Sequence, residues 1–309
     1  MASQTIKLRS LYLKDVLHES CKLLTKSNCV FGQGMQSALD EAAYLVSFVM
    51  QLPLDFCPDQ ENRVLTQQEI ERIQDILMQR IINHQPLAYI LGKTWLAGVE
   101  FIVNPNVLIP RSPIAHMVLE QCFPWVQYEQ ISAVLDLCTG SGCLGILAAM
   151  AFPDARVDLA DIDRQALAVA RSNVAKHGLG SRINVICSDV YAQIPKQQYD
   201  IILANPPYVP ICEQSQLPAE FRQEPQHALF SGEDGLDIVK RIIADAVEYL
   251  PSSGILILEV GQYADVLEAY YSQQPIMWHD CQDGGEGVCV LTAQQCQQMA
   301  ASHQQNLAR

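Results

Sequence analysis

The sequence of 309 residues predicts an α/β protein: a helical bundle over residues 1–94, a β-hairpin linker over 95–112, and a parallel sheet covered on both faces over 113–309. Three observations carry this. Apolar residues recur at three- and four-residue steps in the N-terminal segment, a Gly-flanked β-branched stretch follows, and short apolar runs then alternate with helical stretches.

In the first segment Leu13, Val16, Leu17, Cys21 and Leu24 mark one helix. Leu39, Ala42, Ala43, Val46, Val49 and Met50 mark a second, and Ile70, Ile73, Ile76, Leu77 and Ile81 a third. Thr66 and Glu69 have capping-box spacing at the start of the third, and His84-Gln85-Pro86 closes the bundle. In the linker, Trp95–Val103 and Val107–Ile109 are strand candidates separated by the turn Asn104-Pro105-Asn106.

Strands are expected at 133–138, 156–160, 183–187, 199–204 and 254–260, with helices near 143–151, 164–177, 235–250 and 263–273. Such alternation implies parallel strands buried on both faces. The runs 276–281 and 287–292, joined by the Gly-rich 283–287, follow without a helix and are expected to pair antiparallel at the sheet's end. The tail from Gln294 reads as a short helix or a frayed end.

Composition narrows the function. Twenty Lys and Arg against 34 Asp and Glu give a net charge of −14, which disfavours broad phosphate-backbone binding and suits a basic partner. The 11 cysteines include no C-x-x-C pair and sit mostly in apolar runs, which predicts reduced, buried thiols and no metal centre. The N-terminus lacks a signal-peptide apolar core, and the best apolar run, Ile131–Phe152, is broken by Asp136 and a Gly turn. A cytoplasmic protein with no membrane partner is expected.

The first chemical signal is Asp136-Leu137-Cys138-Thr139-Gly140-Ser141-Gly142, where a strand ends and a helix opens. Glycines let a ligand approach the backbone, and a helix start offers free N–H groups. Asp161 ends the second strand with a carboxylate suited to ribose hydroxyls, and Asp189 ends the third, placed to accept from an adenine amino group. Asp163 reads as a helix N-cap. The turn at Gly140 and Gly142 reads as having neither the third Gly of a dinucleotide fingerprint nor the Lys of a P-loop, which favours S-adenosyl-L-methionine over NAD or ATP.

The second signal is Asn205-Pro206-Pro207-Tyr208, after the apolar strand that ends at Ala204. Two prolines remove two donors and fix φ twice, leaving a stiff bracket with free carbonyls. A planar NH₂ group can donate to the Asn205 side-chain oxygen and the Pro206 carbonyl, while Tyr208 supplies an aromatic wall. Asn205 also counts among the cofactor-binding residues.

The Asn-Pro-Pro-Tyr motif after a Gly turn resembles the amide- and amine-methylating branch of the seven-stranded, Rossmann-like S-adenosylmethionine-dependent methyltransferases. Pro86–Gly92, Val107–Arg111, Glu224-Pro225, Ala228-Leu229 and Gly232–Leu236 look like segments of the protein-(glutamine-N5) methyltransferases, and the match runs from about residue 30 onward. Pro110-Arg111-Ser112-Pro113-Ile114 and Leu217–Phe221 resemble the subgroup acting on the large-subunit ribosomal protein L3. The resemblance implies N5-methylation of a glutamine in a basic ribosomal protein. The alternatives are a release factor as substrate, or a nucleic-acid amine methyltransferase; sequence-specific nucleic-acid binding is not expected. Arg111 is left as either a substrate or cofactor contact or a surface salt bridge.

Overall fold

The computed structural model describes residues 6–53, 63–122, 124–280 and 285–307. The chain divides into two compact units, Met1–Thr94 with Pro218–Gln223, and Trp95–Leu217 with Glu224–Arg309.

The first unit is built on α1 (Leu13–Lys26), α2 (Ala38–Met50), α3 (Gln67–Ile82) and the short α4 (Leu87–Leu91). Thr66 and Glu69 form a full capping box on α3, and the Ser37 side chain caps α2 by accepting from the Asp40 amide. The buried stripes depart from the apolar pattern in all three helices. Ser20, not Cys21, lies inside α1, where its hydroxyl donates to the Val16 carbonyl at 2.7 Å. Leu39 of α2 is exposed. On α3 the stripe Ile70, Ile73, Ile76 and Leu77 ends in Arg80, which is 1% exposed.

Arg80 can be buried because its donors are met. Its Nε and Nη2 reach the two oxygens of Glu41 at 2.8 and 3.1 Å, Nη1 reaches Glu220 Oε1 at 3.0 Å, and Nη2 also reaches the Val30 carbonyl at 2.8 Å. Glu220 brings Pro218–Gln223 into this unit, a segment the sequence assigns to the sheet domain.

The hairpin is β1 (Lys93–Leu96) with β2 (Val99–Ile102), earlier and shorter than expected. Ala97 and Gly98 both have positive φ (50° and 78°), the signature of a tight two-residue hairpin turn. The pair is therefore complete by Ile102, and Val107–Ile109 forms no strand; Val107 and Ile109 are buried as irregular chain.

In the second unit α5 (Ile114–Leu119) precedes β3 (Ala133–Leu137), α6 (Cys143–Ala151), β4 (Arg156–Asp161), α7 (Arg164–Lys176), β5 (Ile183–Cys187) and β6 (Ile201–Ala204). Then come α8 (Asp237–Ala246), β7 (Ile255–Glu259), α9 (Ala264–Tyr270), β8 (Met277–His279), β9 (Val288–Thr292) and α10 (Ala293–Leu307). The seven strands lie in the order β5-β4-β3-β6-β7-β9-β8. Pairs from β5 to β7 are parallel, and β9 runs antiparallel between β7 and β8. Part of the Gly-rich connection, residues 281–284, lies outside the described residues.

Each strand sends alternate residues to opposite faces. Val134, Leu159, Leu203 and Ile257 join a core with α5, α6 and α7, while Leu135, Ala160, Ile202 and Leu256 join one with α8, α9 and α10. Strand order reverses on the two sides of β3, which places the switch point of the sheet at the carboxyl ends of β3 and β6. Among the described residues no helix is long and apolar enough to cross a membrane.

Candidate active site

The turn after β3 is held from within. Asp136 Oδ2 accepts from the Thr139 hydroxyl at 2.5 Å and the Gly145 amide at 2.9 Å, tying the strand end to the first turn of α6. Cys138, Gly140 and Gly142 all have positive φ (56°, 54° and 83°). A Cβ on Gly145 would stand 2.1 Å from Leu159 Cδ2, so this glycine lets α6 pack on β4. Gly145 completes a G-x-G-x-x-G spacing with Gly140 and Gly142. Contrary to the expectation from two glycines, the glycine pattern by itself does not separate S-adenosylmethionine from a dinucleotide. Burial pushes the Asp136 carboxyl up to about 7 against the lowering effect of those two hydrogen bonds, and its buried Oδ1 has no partner among the described residues.

A cavity of about 270 Å³ opens at the carboxyl ends of β3 to β6. Gly140, Asp161, Asp189, Asn205 and Pro207 are on its wall. Asp136, Thr139, Ser141 and Gly142 are buried and do not line it; they shape the turn rather than its surface. Asp161 accepts from the Gly140 amide at 2.8 Å and the Asp163 amide at 2.9 Å, and burial raises its carboxyl above the ordinary range. Asp163 caps α7 by accepting from the Gln165 amide. Asp189 is paired with Arg241 at 2.9 Å.

The wall also takes in Asn106–Leu108, read in the sequence as the end of a turn and a strand, and His227, Ala228 and Phe230, of which His227 and Ala228 sit in a one-turn 3₁₀ helix. Nothing in the sequence puts either stretch at the cavity, although Val107–Arg111, Glu224-Pro225 and Ala228-Leu229 flag them. His227 Nε2 lies 3.1 Å from Asp163 Oδ2 at this wall.

The bracket follows directly from the buried β6. Asn205 presents its carboxamide at the cavity with no hydrogen-bond partner among the described residues. Pro206 is buried behind Pro207. Beyond it Val209 bonds Leu229 and Ser231 through the backbone (2.8 and 3.0 Å), so the bracket is braced by the following segment. Tyr208 is not on the cavity wall. Its hydroxyl donates to Glu259 Oε1 at 3.1 Å, and burial together with that carboxylate pushes the phenol far above its ordinary value.

Arg111 makes a bidentate pair with Glu224, a carboxylate with no exposed side-chain surface, and also bonds the Ile109 carbonyl. It is thus a structural tie within this unit, not a surface pair. The nine described cysteines are free thiols. Cys29, His84 and Glu220 bring three potential ligand atoms within 4.8 Å, but Glu220 Oε1 already accepts from Arg80, Val30 and His84.

Residues 117–233 match the family model described as Methyltransferase small domain, and residues 22–92 match PrmC N-terminal domain. A ribosomal protein uL3 glutamine methyltransferase of Francisella tularensis subsp. tularensis is 40% identical over 281 residues, spanning 91% of this chain and 90% of the relative. One of Bordetella pertussis is 40% identical over 285 residues, spanning 92% and 95%. Among solved structures, the hMettl16 catalytic domain in complex with MAT2A 3′UTR hairpin 1 aligns with a TM-score of 0.51 at 17% identity, covering 80% of this chain and 88% of that one, a likeness of fold alone. With two relatives matching nearly end to end, the chain is a methyltransferase and belongs to the family of the ribosomal protein uL3 glutamine methyltransferases.

Proposed function

We propose that the protein methylates the side-chain amide nitrogen of a glutamine in the large-subunit ribosomal protein uL3, with S-adenosyl-L-methionine as donor. The observation that carries this is the unpartnered Asn205 carboxamide, set by a buried strand and two prolines at the wall of the cavity.

Three residues of the cavity wall support the donor: Gly140 would let a ligand approach the backbone, Asp161 would accept from ribose hydroxyls, and Asp189 would accept from an adenine amino group. When bound, S-adenosyl-L-methionine supplies an electrophilic methyl group on a sulfonium.

The residues of the chain do the positioning. A glutamine amide nitrogen is a weak nucleophile because its lone pair is delocalised into the carbonyl. Asn205 Oδ1 and the Pro206 carbonyl accept its two N–H bonds, which fixes the nitrogen's orientation and favours its pyramidal form. Alignment of this kind lowers a barrier by roughly 7–11 kcal/mol in well-oriented reactants. The excess proton leaves the nitrogen after attack, so the bracket needs no strong base. The net charge of −14 steers a basic ribosomal protein toward the enzyme in the cytoplasm, and the helical unit grips that substrate.

The test is methyl transfer from labelled donor into purified uL3, release factor and ribosomal RNA, with mass spectrometry locating the product. Label on a uL3 glutamine is expected. Asn205→Ala should lose transfer by about 100-fold or more while binding S-adenosylhomocysteine within a few-fold of wild type. Label in release factor or RNA alone, or near-normal turnover by that variant, would refute the proposal.

A further inference from the structure

Tyr208 is gripped at its hydroxyl, its ring and its carbonyl. The hydroxyl donates to Glu259 Oε1 at 3.1 Å. A Cβ on Gly261, a residue at φ +51°, would stand 2.9 Å from the ring's Cε2, so the backbone after β7 presses on the ring. A Cβ on Gly235 would stand 2.1 Å from the Tyr208 carbonyl oxygen. Glu259 is the last residue of β7 and 5% exposed. Its second oxygen accepts from the hydroxyl of Ser112 at 2.5 Å, and Ser112 is itself 3% exposed.

A buried carboxylate is a costly choice for a packing position, and here the nearby Arg111 guanidinium offsets part of that cost while burial still raises the Glu259 carboxyl. Among the described residues Glu259 forms no ion pair; its hydrogen-bond donors are two neutral hydroxyls. An apolar residue of similar volume would be cheaper. What the carboxylate adds is direction: it takes one hydroxyl on each oxygen and leaves the Tyr208 ring a single orientation.

We propose that Glu259, fixed in turn by Ser112, is a positioning residue for methyl transfer, holding Tyr208 and through it the adjoining Asn205-Pro206-Pro207 bracket that accepts the amide. This rests on the glutamine-methylation reading above and adds Ser112 and Glu259 to the residues that reading uses. Neither touches the reacting atoms; both act through Tyr208.

The test compares wild type, Tyr208→Phe, Ser112→Ala, Ser112→Thr and the double variant Ser112→Ala/Tyr208→Phe. Tyr208→Phe and Ser112→Ala should each lower kcat/KM for uL3 by about ten-fold, as expected for losing a hydrogen bond to a charged group. Affinity for S-adenosylhomocysteine, measured by calorimetry, should stay near wild type. Ser112→Thr should restore turnover, and the double variant should be no worse than the poorer single one, because either change breaks the same chain of contacts. A crystal structure of Ser112→Ala should show the Tyr208 ring rotated or in more than one position. Wild-type kcat/KM in Tyr208→Phe, losses that multiply in the double variant, or an unmoved ring in Ser112→Ala would overturn the proposal. Tyr208→Phe keeps the ring's packing, so its kinetics remain decisive if Ser112→Ala does not fold. A wild-type enzyme that left uL3 unmethylated would refute the glutamine-methylation reading instead, and the ring position would still decide whether Glu259 holds Tyr208.

Discussion

Arg111 and Glu224, 113 residues apart, meet through two parallel hydrogen bonds of 2.7 and 2.9 Å. Each stands beside a stretch of the cavity wall, Asn106–Leu108 on one side and His227 to Phe230 on the other. Burial works against the guanidinium's charge, but the Glu224 carboxylate more than compensates and raises its pKa. Arg111→Ala removes the bidentate guanidinium from a buried carboxylate and should cost about 3–5 kcal/mol in urea denaturation. Arg111→Lys keeps the charge but loses the planar fork, so its cost should be intermediate. Affinity for S-adenosylhomocysteine should fall in the same order; full affinity in Arg111→Ala would show that the tie does not shape the cavity.

Gly145 and Gly140 should respond oppositely to what helix propensity suggests. Alanine inside a helix normally stabilises by about 1 kcal/mol relative to glycine. At Gly145, inside α6, the added methyl meets the fully buried Leu159, so Gly145→Ala should destabilise by about 1–3 kcal/mol. Gly140→Ala has open space but a φ of +54°, with a cost of about 1–2 kcal/mol from backbone strain alone. Pairing Gly145→Ala with Leu159→Ala should recover part of the loss, whereas Gly140→Ala with Leu159→Ala should be additive. Thermal denaturation of these four variants and of Leu159→Ala alone decides it.

Asp136 gives a pH signature. Its folded value of about 7 lies above the unfolded value of about 3.9, so the native state binds the extra proton. Native stability therefore falls as pH rises through that window and is level above it. Asp136→Asn lacks this contribution. Measured without ligand from about pH 5 to 8, the stability difference should move in the variant's favour up to about 7, by at most a few kcal/mol, then stay constant. A pH-independent difference would place the ionisation elsewhere.

Arg80 holds two buried carboxylates. Burial raises Glu41 against the pull of Arg80, whereas Glu220 is lowered because His84 and Arg80 outweigh its burial. Arg80→Ala should destabilise the helical unit by about 3–5 kcal/mol at neutral pH. Without the guanidinium both carboxyls would take up protons in the folded state, so the deficit should shrink as pH falls. Wild type moves the other way through Glu220, whose depressed value makes its contribution vanish in acid. A deficit that grows in acid would refute this.

Most strands of the sheet were legible because a strand buried on both faces must be a short apolar run. The α3 stripe was legible too: positions 73, 76, 77 and 80 share a face whatever residue stands there. That the arginine at position 80 is buried there could not be foreseen, since its partners Glu41 and Glu220 are distant in sequence. The hairpin was misplaced because positive φ at Ala97 carries no compositional mark. At the site, Asn205 and Gly140 announced themselves by residue type. The wall at Asn106–Leu108 and Phe230, and the Ser112 contact with Glu259, depend on tertiary placement of irregular chain, which has no period to read.

The antiparallel β9 sits inside the sheet, hydrogen-bonded on one side to β7 and on the other to β8. Its residues are made after those of β7. During synthesis β7 therefore presents a bare row of amides and carbonyls, flanked by apolar Leu256 and Leu258, until Val288–Thr292 emerges to cover it. The nascent chain is thus open to edge-to-edge association until this strand is made, and a message truncated before it would yield a product prone to aggregation.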